Sequence, residues 1–483
     1  MNYDTLSARI TSSDFPAEEL QIHRIEGQEA ISRPFRFEIE LVAPAMLELA
    51  ADEVAGALAS LVFELEGEVV RTIHGMISEL EDLLDVSGDH RSYRVVLVPR
   101  MHMLTLVEIQ EVFLEQSVPS IIKQKLDLVG VGEADVEMRL QNRYDPRELV
   151  IEYKETDLAF VSRLTEHLGV SFFFDHRGDT DKIVFTDHAG GFMSLPEHDK
   201  VPFEARRDHQ GVYAIRHVTR VSPRRFYQQD YNYRTPRLDL TASHAVESGL
   251  AGGVVEFGSH VKTPAEARMI AQIRAEERDA THRFYAGESA VVSFTAGARV
   301  TLDDHPRVKE RLLLVEVTHH FTQQVGTHGK GSGGDGYRNS FRATPASRTY
   351  RPARVTPKPR IAGVVTAVIE PVPGGQVAKH ANIDDQGRYT VRFAFDSAPA
   401  SPLGRSSRPI RMIQPHAGPG YGVHFPLHSG VEVAIVFVDG DPDRPLIQGA
   451  IPNPATPTPV QRQNSLESRI QTSSGLHIVM KDA

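Results

Sequence analysis

The sequence predicts a mainly β fold with α+β insertions, ending in a small five-stranded barrel of the OB type. Apolar and polar residues alternate over many segments of about four to eight residues, as in strands with one buried face. A short internal repeat links two regions of the first 350 residues. After residue 360, five short strands are predicted within about ninety residues without a substantial helix, which suits a small closed barrel.

The first two hundred residues combine strands with a helical interval. "FRFEIELV" (35–42) and "SYRVVLVPR" (92–100) alternate as strands. "SIIKQKLDLVG" (120–130) and "TDLAFVSRLTEHLG" (156–169) have helical periodicity and end at a glycine. "VSFFFDH" and "KIVFTDH" then predict a hairpin.

Strands resume after residue 200, with a helix predicted over 264–278. "YRNSFRATP" (337–345) resembles "YRVVLVP" (93–99), because each begins with Tyr-Arg after a Gly/Asp-rich loop and follows an earlier strand. This repeat predicts two related barrels. Residues 351–360, with three prolines and four basic residues, are typical of a linker that has little to pack.

Alternation is clearest in the last part of the chain. Strands are predicted in "IAGVVTAVIE", around Val391 and Phe393, in "PIRMIQ", around Val433 and Ile435, and in "PLIQGAI". The four named side chains are expected in or beside the barrel core. "SRIQTSSGLHIVMKDA" then begins a new strand-like pattern.

Composition excludes several classes of protein. Of 483 residues, 40% are hydrophobic and 24% charged, which is ordinary for a globular chain. The net charge of −11 argues against a general nucleic-acid binder, which needs a surplus of Lys and Arg. The absence of cysteine excludes disulfides, thiolate metal sites and a cysteine nucleophile.

Three motifs resemble known binding motifs, but each lacks a residue or a conformation that the motif requires. In "GTHGKGSGGDG" (326–336), Gln324 and Gly331 stand where a phosphate-binding loop needs Gly and Ser or Thr. "NIDDQG" (382–387) begins like a calcium loop, but the twelfth position is Phe393 and not Glu. "HFPLH" (424–428) has helical zinc spacing, yet its central proline opposes a helix. No nucleophile elbow occurs, so the sequence predicts no catalytic residue, no cofactor and no metal site.

Two segments remain as candidates for other roles. Residues 201–240 hold eight arginines against four acids, interleaved with aromatic residues. Arginine with aromatics can grip single-stranded nucleic acid, but it also marks protein interfaces, and the acidic chain favours the second reading. The candidate interface residues are Arg224, Arg225, Phe226, Tyr227, Tyr231 and Tyr233.

The second segment, "FVDGDPDRPLIQG" (437–449), places acids and an arginine around two prolines. Pro442 presets φ, and Asp441 can bond the backbone two residues on, so this segment is expected to be a turn. Arg444 is expected to pair with one of the acids. The residues of this structural turn are Gly440, Asp441, Pro442, Asp443 and Arg444.

Two long blocks resemble a known family. "YDPRELVIEYKETDLAFVSRLTEHLGVSFFFDH" (144–176) looks like the hallmark segment of VgrG proteins, the spike proteins of type VI secretion. "DDQGRYTVRFAFD" together with "RPIRMIQPHAGPGYGVHFPLHSGVEVAIVFVDGDPDRPLIQGAIPN", within 384–453, looks like the OB-fold module of that family. Contractile-phage baseplate hubs share the plan.

The resemblance implies a two-barrel baseplate-hub module, an OB-fold collar and the start of a β-helical needle. The expected boundaries are hub barrel 1 at 1–100, an α+β insertion at 101–200, hub barrel 2 with a helical insertion at 201–350, a linker at 351–360, the collar at 361–453, and the neck and needle start at 454–483.

The implied function is non-enzymatic. A homotrimer would cap a hexameric inner tube, contact baseplate components, carry a tip (PAAR-like) protein and effectors, and touch the target membrane transiently. Such a protein would be made in the bacterial cytoplasm and delivered without a signal peptide, for which "MNYDTLSARI" shows no pattern. Two alternatives stay open: a spike-associated peptidoglycan hydrolase, and an OB-fold protein that binds nucleic acid or saccharide.

Overall fold

The computed structural model describes residues 6–84, 90–195, 200–204, 210–247, 249–325, 336–372, 382–397 and 405–482. They form two compact units. The first comprises Met1–Val107, Ile122–Tyr144 and Asp157–Pro357, and the second comprises Glu108–Ile121, Asp145–Thr156 and Lys358–Ala483. Within the described ranges, no helix is both long and apolar enough to cross a membrane.

The first barrel is built from six antiparallel strands in the spatial order β1-β4-β5-β6-β3-β2. Its elements are β1 Leu6–Thr11, β2 Gln21–Ala30, β3 Arg33–Pro44, α1 Ala51–Val54, β4 Leu58–Leu65, β5 Glu68–Asp82 and β6 His90–Val98. Side chains of the predicted 35–42 strand alternate as expected: Phe35, Phe37 and Ile39 are at most 1% exposed.

The side chain of Gln323 links β1 and β2, the first and last strands of this order. No backbone ladder joins β1 to β2 in the described part of the barrel. Gln323 accepts a hydrogen bond from the N–H of Ala8 (3.2 Å) and donates to the carbonyls of Ala8 (3.2 Å) and Ile22 (2.5 Å). Its own N–H donates to the carbonyl of His23 at 3.0 Å. One glutamine therefore satisfies backbone groups on both strands, where a ladder would otherwise do so.

The next hundred residues contribute to both units. The elements are β7 Glu108–Phe113, α2 Val118–Leu128, β8 Val136–Arg139, β9 Val150–Thr156, α3 Asp157–Leu168, β10 Ser171–Asp175 and β11 Lys182–Thr186. The predicted hairpin is confirmed, since β10 and β11 pair antiparallel, and β8 joins them in parallel. In the second unit, β7 pairs with β9.

Helix α3 is buried more completely than its apolar stripe predicts. It ends before Gly169, which has φ +65°, as the sequence indicates. However, the charged side chains of Asp157 and Glu166 are also buried. Asp157 accepts a hydrogen bond from Lys125 at 3.2 Å, and Glu166 accepts bonds from the backbone N–H groups of Val355 and Thr356. Paired charges can be buried where free ones cannot.

The second barrel closes through a parallel strand. The remaining elements of this unit are β12 Met193–Ser194, β13 Lys200–Pro202, β14 Val212–Thr219, β15 Pro223–Gln229, β16 Ala242–Ala245, β17 Ala251–Phe257, α4 Pro264–His282, β18 Arg283–Ser289, β19 Ala298–Asp303, β20 Leu312–Thr322 and β21 Gly336–Pro345. The ring runs β19-β20-β21-β18-β14. It closes because β13 pairs with β19 and the adjoining Phe203 pairs with Val212, both in parallel.

The internal repeat corresponds to two equivalent hairpins. "YRVVLVP" lies in β6 except for Pro99, and β6 pairs with β5. "YRNSFRATP" forms most of β21, which pairs with β20. Strand β2 of the first barrel pairs antiparallel with β20 of the second, from Arg24–Thr322 to Ala30–Glu316. The two barrels therefore share one continuous sheet.

A buried ion cluster lies at this junction. Glu29 accepts hydrogen bonds from Arg71 Nη2 (2.6 Å) and Thr295 Oγ1 (3.0 Å), and His319 Nε2 lies 2.9 Å from the same carboxylate. The side chains of Glu29, Arg71 and His319 are at most 7% exposed. Burial alone would raise the pKa of Glu29, but the charges and hydrogen bonds of Arg71 and His319 hold it well below its usual range.

Residues 351–360 form no helix or strand, but part of this stretch is firmly packed. Arg351 is 6% exposed. It donates to Glu276 (2.7 Å) and to the carbonyls of Gly169 (2.9 Å) and Asp187 (2.8 Å). The expectation of little packing is therefore wrong at Arg351, because a guanidinium can satisfy several buried acceptors at once.

The second unit contains the predicted OB-type barrel. After residue 360 the strands of this unit are β22 Val365–Ile369, β23 Val391–Phe393, β24 Ala417–Gly418, β25 Tyr421–Gly422, β26 Glu432–Phe437, β27 Pro445–Ala450, β28 Glu467–Gln471 and β29 His477–Lys481. Four of them form the sheet β23-β22-β26-β27. Val391, Phe393, Val433 and Ile435 are at most 1% exposed, so the predicted core is confirmed.

The fifth barrel strand is reduced to isolated bridges. Tyr389 and Ile410 exchange backbone hydrogen bonds of 2.9 and 2.8 Å, and the N–H of Ile447 donates to the carbonyl of Arg411 at 2.9 Å. These bonds connect both edges of the sheet through residues 410–413. Met412 pairs with Ile447 in parallel, so the barrel is not wholly antiparallel at this position.

Residues from the first half of the chain enter the same core. Leu149 and Ile151 cluster with Val391, Phe393 and Ile435. Beyond the barrel, β28 and β29 pair as a hairpin from Glu467–Lys481 to Gln471–His477. Its apolar side chains are exposed, including Ile470 (48%), Leu476 (74%), Ile478 (63%) and Met480 (61%).

Candidate functional site

The candidate interface residues lie on and beside a small sheet with one covered face. The sheet has the order β16-β15-β17. Ala242 of β16 belongs to a buried apolar cluster that includes Ala267, Ile270 and Ala271 of α4. Helix α4 begins at Pro264, after the cap residue Thr263, whose side chain accepts a hydrogen bond from the N–H of Glu266. The helix covers the inner face and leaves the other face of the sheet open.

The open face presents apolar and aromatic groups beside one arginine. Strand pairing places Arg225 opposite Gly253 and Tyr227 opposite Val255, with Gln229 opposite Phe257. Tyr227, Val255 and Phe257 are 38%, 63% and 60% exposed. We define the outer sheet face by the six residues Arg225, Tyr227, Gln229, Gly253, Val255 and Phe257.

The glycine of this face shapes the aromatic surface. A Cβ on Gly253 would lie 2.9 Å from the ring of Tyr227, so the ring lies close over the β17 backbone. Arg225 is held too, because its Nη1 donates to Ser243 Oγ at 3.0 Å. Arg225 and Tyr227 therefore each have a defined contact within the single chain.

Of the six candidate interface residues, four are exposed, one is half-buried and one is buried, and their role in an interface stays a prediction. Arg224 is exposed and Tyr231 is 53% exposed, whereas Tyr233 is half-buried with the guanidinium of Arg234 4.8 Å from its ring. Phe226 is 0% exposed and is a core residue, because alternation along β15 turns it away from Tyr227.

Sequence reasoning missed Val255 and Phe257. Their alternation with Val254 and Glu256 in "GGVVEF" could have indicated a strand with an apolar outward face. The carboxylate of Glu256 points to the other side, where it accepts hydrogen bonds from Arg354 (2.9 and 2.6 Å) and Ser259 (2.8 Å). Burial would raise the pKa of Glu256, but the bonds from Arg354 hold it below its usual value.

The segment 437–444 has the hydrogen bonds of a compact turn. The N–H of Asp441 donates to the carbonyl of Val438 (3.0 Å), and that of Arg444 to the carbonyl of Asp441 (2.9 Å). Asp441 Oδ1 accepts from the N–H of Asp443 at 2.9 Å, the bond expected two residues on. Gly440 adopts φ +71°, a conformation that suits glycine.

Both acids of this turn bind a lysine of the preceding stretch. Lys358 Nζ donates to Asp441 Oδ1 (2.5 Å) and Asp443 Oδ2 (2.7 Å). Asp443 Oδ1 also accepts from the buried N–H of Ile151 at 2.7 Å, and its carbonyl accepts from Arg408 at 3.1 Å. The pairing of Arg444 with one of the acids stays a prediction.

The calcium-like motif is a turn fastened by an arginine. Asp384 accepts hydrogen bonds from the backbone N–H groups of Gln386 and Arg388 (both 2.9 Å) and from Arg388 Nε (2.7 Å). Burial would raise the pKa of Asp384, but the bonds from Arg388 hold it below its usual value. Phe393 points into the barrel core. The carboxylate is thus already occupied.

The histidine motif is also absorbed by the barrel. Gln414 lies 2.7 Å from His424 Nδ1, and the Tyr389 hydroxyl lies 2.8 Å from Nε2, so protein groups contact both ring nitrogens. Across the described ranges, no cluster of three or more His, Asp or Glu residues suits a metal ion. The phosphate-loop candidate lies outside the described residues, since these omit 326–335.

Two fused barrels on one sheet, followed by an OB barrel, define the class of tail baseplate hub proteins. Residues 28–325 match the family model of the phage tail baseplate hub (GPD), and residues 374–451 match that of the type VI secretion system/phage-baseplate injector OB domain. The chain belongs to the phage tail baseplate hub family, in its VgrG-like form.

Named relatives agree with this assignment. The type VI secretion system spike proteins VgrG1b and VgrG4b of Pseudomonas aeruginosa are 29% and 31% identical over 479 and 462 residues, or 95% and 92% of this chain. The chain spans only 63% and 56% of their lengths. The actin cross-linking toxin VgrG1 of Vibrio cholerae is 25% identical, and the chain spans 41% of it.

Known structures share the fold. The E. coli c3393 protein is described as a type VI secretion component similar in structure to the T4 bacteriophage tail proteins gp27 and gp5. It matches with a TM-score of 0.66 and 25% identity, over 92% of this chain and all of that one. A chain of a Francisella PdpA–VgrG complex matches with a TM-score of 0.62 at 9% identity, over 99% of this chain and 83% of that one.

Proposed function

We propose that the protein is a non-enzymatic homotrimeric hub and spike at the tip of a contractile injection machine. It caps the inner tube, contacts baseplate components, carries a tip (PAAR-like) protein and effectors, and punctures the target envelope. The machine delivers it from the bacterial cytoplasm to the outside or into a target cell. Its contact with the target membrane is transient, and it needs no cofactor or nucleic acid.

The observation that carries this proposal is the exposed hairpin of β28 and β29. Apolar side chains such as Ile470, Leu476 and Ile478 are about half to three-quarters exposed in the single chain. A solvated hairpin with so much apolar surface is unstable alone, and packing against identical copies removes that surface from water. Three such hairpins at one axis would form the start of a needle.

The net negative charge of each chain opposes assembly, so the packing between copies has to bury apolar side chains. Three copies carry a formal charge of 3 × −11 = −33, so the chains repel one another at low ionic strength. Burial of the hairpin side chains must overcome that repulsion. The turn at Gly440–Arg444 has a fastening role in this proposal: it holds Lys358 and Ile151 to the barrel below the needle.

Light scattering over a range of protein concentrations tests the assembly. We expect a mass near 3 × 53.6 = 160.8 kDa at high concentration. Ile478→Asp should weaken it, because the charge would enter the packed hairpin, whereas the solvent-facing Leu106→Asp serves as control. A stable dimer or hexamer would contradict the proposal. Stoichiometric zinc or calcium in the tag-free protein, or hydrolysis of cell walls in a zymogram, would contradict the non-enzymatic role.

A further inference from the structure

The outer sheet face has the features of a protein-binding surface that the single chain leaves uncovered. The opposite side of the same sheet is covered by α4, whereas Tyr227, Val255 and Phe257 remain 38% to 63% exposed. Further exposed apolar residues border the strands, including Val221 (83%) and Leu250 (71%). Exposed apolar and aromatic side chains beside an arginine are typical of interfaces.

The order of this face lowers the cost of binding. Tyr227 lies over Gly253, and Arg225 donates to Ser243, so neither side chain has to be immobilised anew when a partner binds. The edge strand β17 carries its one acid, Glu256, on the inner side, where Arg354 binds it. None of the six residues of the outer sheet face is acidic.

Charge indicates the partner. Residues 210–240 contain six arginines and two acids, a balance of +4, whereas the whole chain has −11. All other residues together therefore carry −11 − 4 = −15. The rest of a copy of the same chain has a net negative charge, whereas the charged group of the outer sheet face is Arg225, and opposite charges steer and orient such a contact.

The same charge decides the symmetry of the contact. If the outer sheet face packed against itself across a twofold axis, the contact would contain two Arg225 side chains and no carboxylate from the six residues of the face. A contact between two different surfaces avoids this excess of positive charge, and such head-to-tail contacts can close a ring. We infer that the outer sheet face docks against an acidic surface of a second copy of this chain, as a head-to-tail contact of the assembled hub.

This inference rests on the proposed trimeric function and names one of its contact surfaces. Because the chain contains no cysteine, a single Val255→Cys substitution gives a unique thiol at the centre of the face. Leu106→Cys, at a residue 72% exposed in the same unit, is the matched control. The rate of thiol modification is measured at protein concentrations below and above assembly.

We expect modification at Cys-substituted position 255 to slow at least about tenfold on assembly, while position 106 changes less than about twofold. Phe257→Asp should shift the assembly midpoint to at least about tenfold higher concentration, because a buried unpaired charge opposes docking. Leu106→Asp should leave the midpoint unchanged. Both positions are well exposed in the chain, so their variants should keep wild-type circular dichroism.

Each remaining outcome has a distinct meaning. If the wild-type protein forms a trimer, and position 255 reacts equally fast in both states, the inference is overturned and the proposed function stands. If the wild-type protein stays monomeric at every concentration, both are overturned. If position 255 is protected only when an oligo-dT strand is added, the face binds nucleic acid, and the inference is overturned.

Discussion

Asp443 Oδ1 accepts a hydrogen bond from the backbone N–H of Ile151 at 2.7 Å, although 292 residues separate the two in sequence. Ile151 is 0% exposed and Asp443 5% exposed, so the bond is shielded from water. Lys358 balances the charge of the carboxylate at 2.7 Å. A turn that the sequence indicates only as a connection therefore anchors a distant strand to the OB barrel.

Removing this carboxylate should loosen the second unit. Asp443→Ala leaves the Ile151 N–H without an acceptor, and we expect a loss of about 2–3 kcal/mol in the free energy of unfolding. Asp443→Asn retains an acceptor and should cost less. Hydrogen exchange of the amides in β9 and β27 measures the effect, with the exposed Asp385→Ala as control. Unchanged exchange at Ile151 in Asp443→Ala would count against the anchoring role.

The barrel core should be sensitive at Phe393. This ring is 1% exposed and stacks on Phe395 with centroids 5.0 Å apart. Phe393→Ala should destabilise the second unit by about 3–5 kcal/mol, because it leaves a cavity. Val368→Ala, at a 43% exposed position of β22, should cost less than about 1 kcal/mol. The two variants are compared by denaturant unfolding monitored through hydrogen exchange of the amides in β22 to β27. Equal losses in the free energy of unfolding would contradict this packing.

The ion cluster between the barrels gives a third stability test. Glu29→Gln keeps the shape of the side chain but leaves Arg71 buried without its anion, so we expect a loss of about 3–5 kcal/mol. Glu38→Gln breaks the exposed pair with Arg36 and should cost less than about 1 kcal/mol. Thermal unfolding of the first unit measures both. A loss below 1 kcal/mol for Glu29→Gln would show that water reaches Arg71.

His176 should make the first unit sensitive to acid. Its ring lies against Phe35 and Phe174, its Nδ1 accepts from the N–H of His74, and burial lowers its pKa to about 3. Between pH 6.5 and 3, the unfolded chain binds a proton at His176 that the folded chain does not. Stability therefore falls as pH falls, with a slope of up to about 1.4 kcal/mol per pH unit.

His176→Asn should reduce that slope between pH 6.5 and 5, while His477→Asn, at an exposed residue of β29, should not. The carboxylate of Glu29 contributes with the same sign, but only at lower pH, because its unfolded value is 4.5. Urea midpoints at half-unit pH intervals separate the two ranges. An identical slope in His176→Asn and wild-type protein would place the acid sensitivity elsewhere.

Short-range sequence patterns were sufficient to predict those parts of the fold that depend on residues close together in the sequence. Periodicity located α2 and α3, alternation located β3 and the core around Phe393, and the Tyr-Arg repeat indicated two barrels. Turn chemistry at Asp441 was also predictable, because its hydrogen bond spans two residues. These features depend on neighbours in the sequence.

Features that depend on distant partners were not predictable. Gln323 looks like a polar strand end until it is placed beside Ala8, 315 residues away. Leu149 and Ile151 give no signal that they belong to the OB barrel core. Phe226 is among the candidate interface residues because composition does not say which side of a strand is covered. Assigning it to the core requires the position of α4.

The discontinuous second unit also imposes an order of events during protein synthesis. The strand that contains Ile151 leaves the ribosome 292 residues before its anchor Asp443. At about 5–20 residues per second, this strand waits roughly 15–60 seconds for the turn that will hold it. Through that interval Leu149 and Ile151 have no finished core to enter, so nascent chains of this protein should be substrates for chaperones that shield apolar segments.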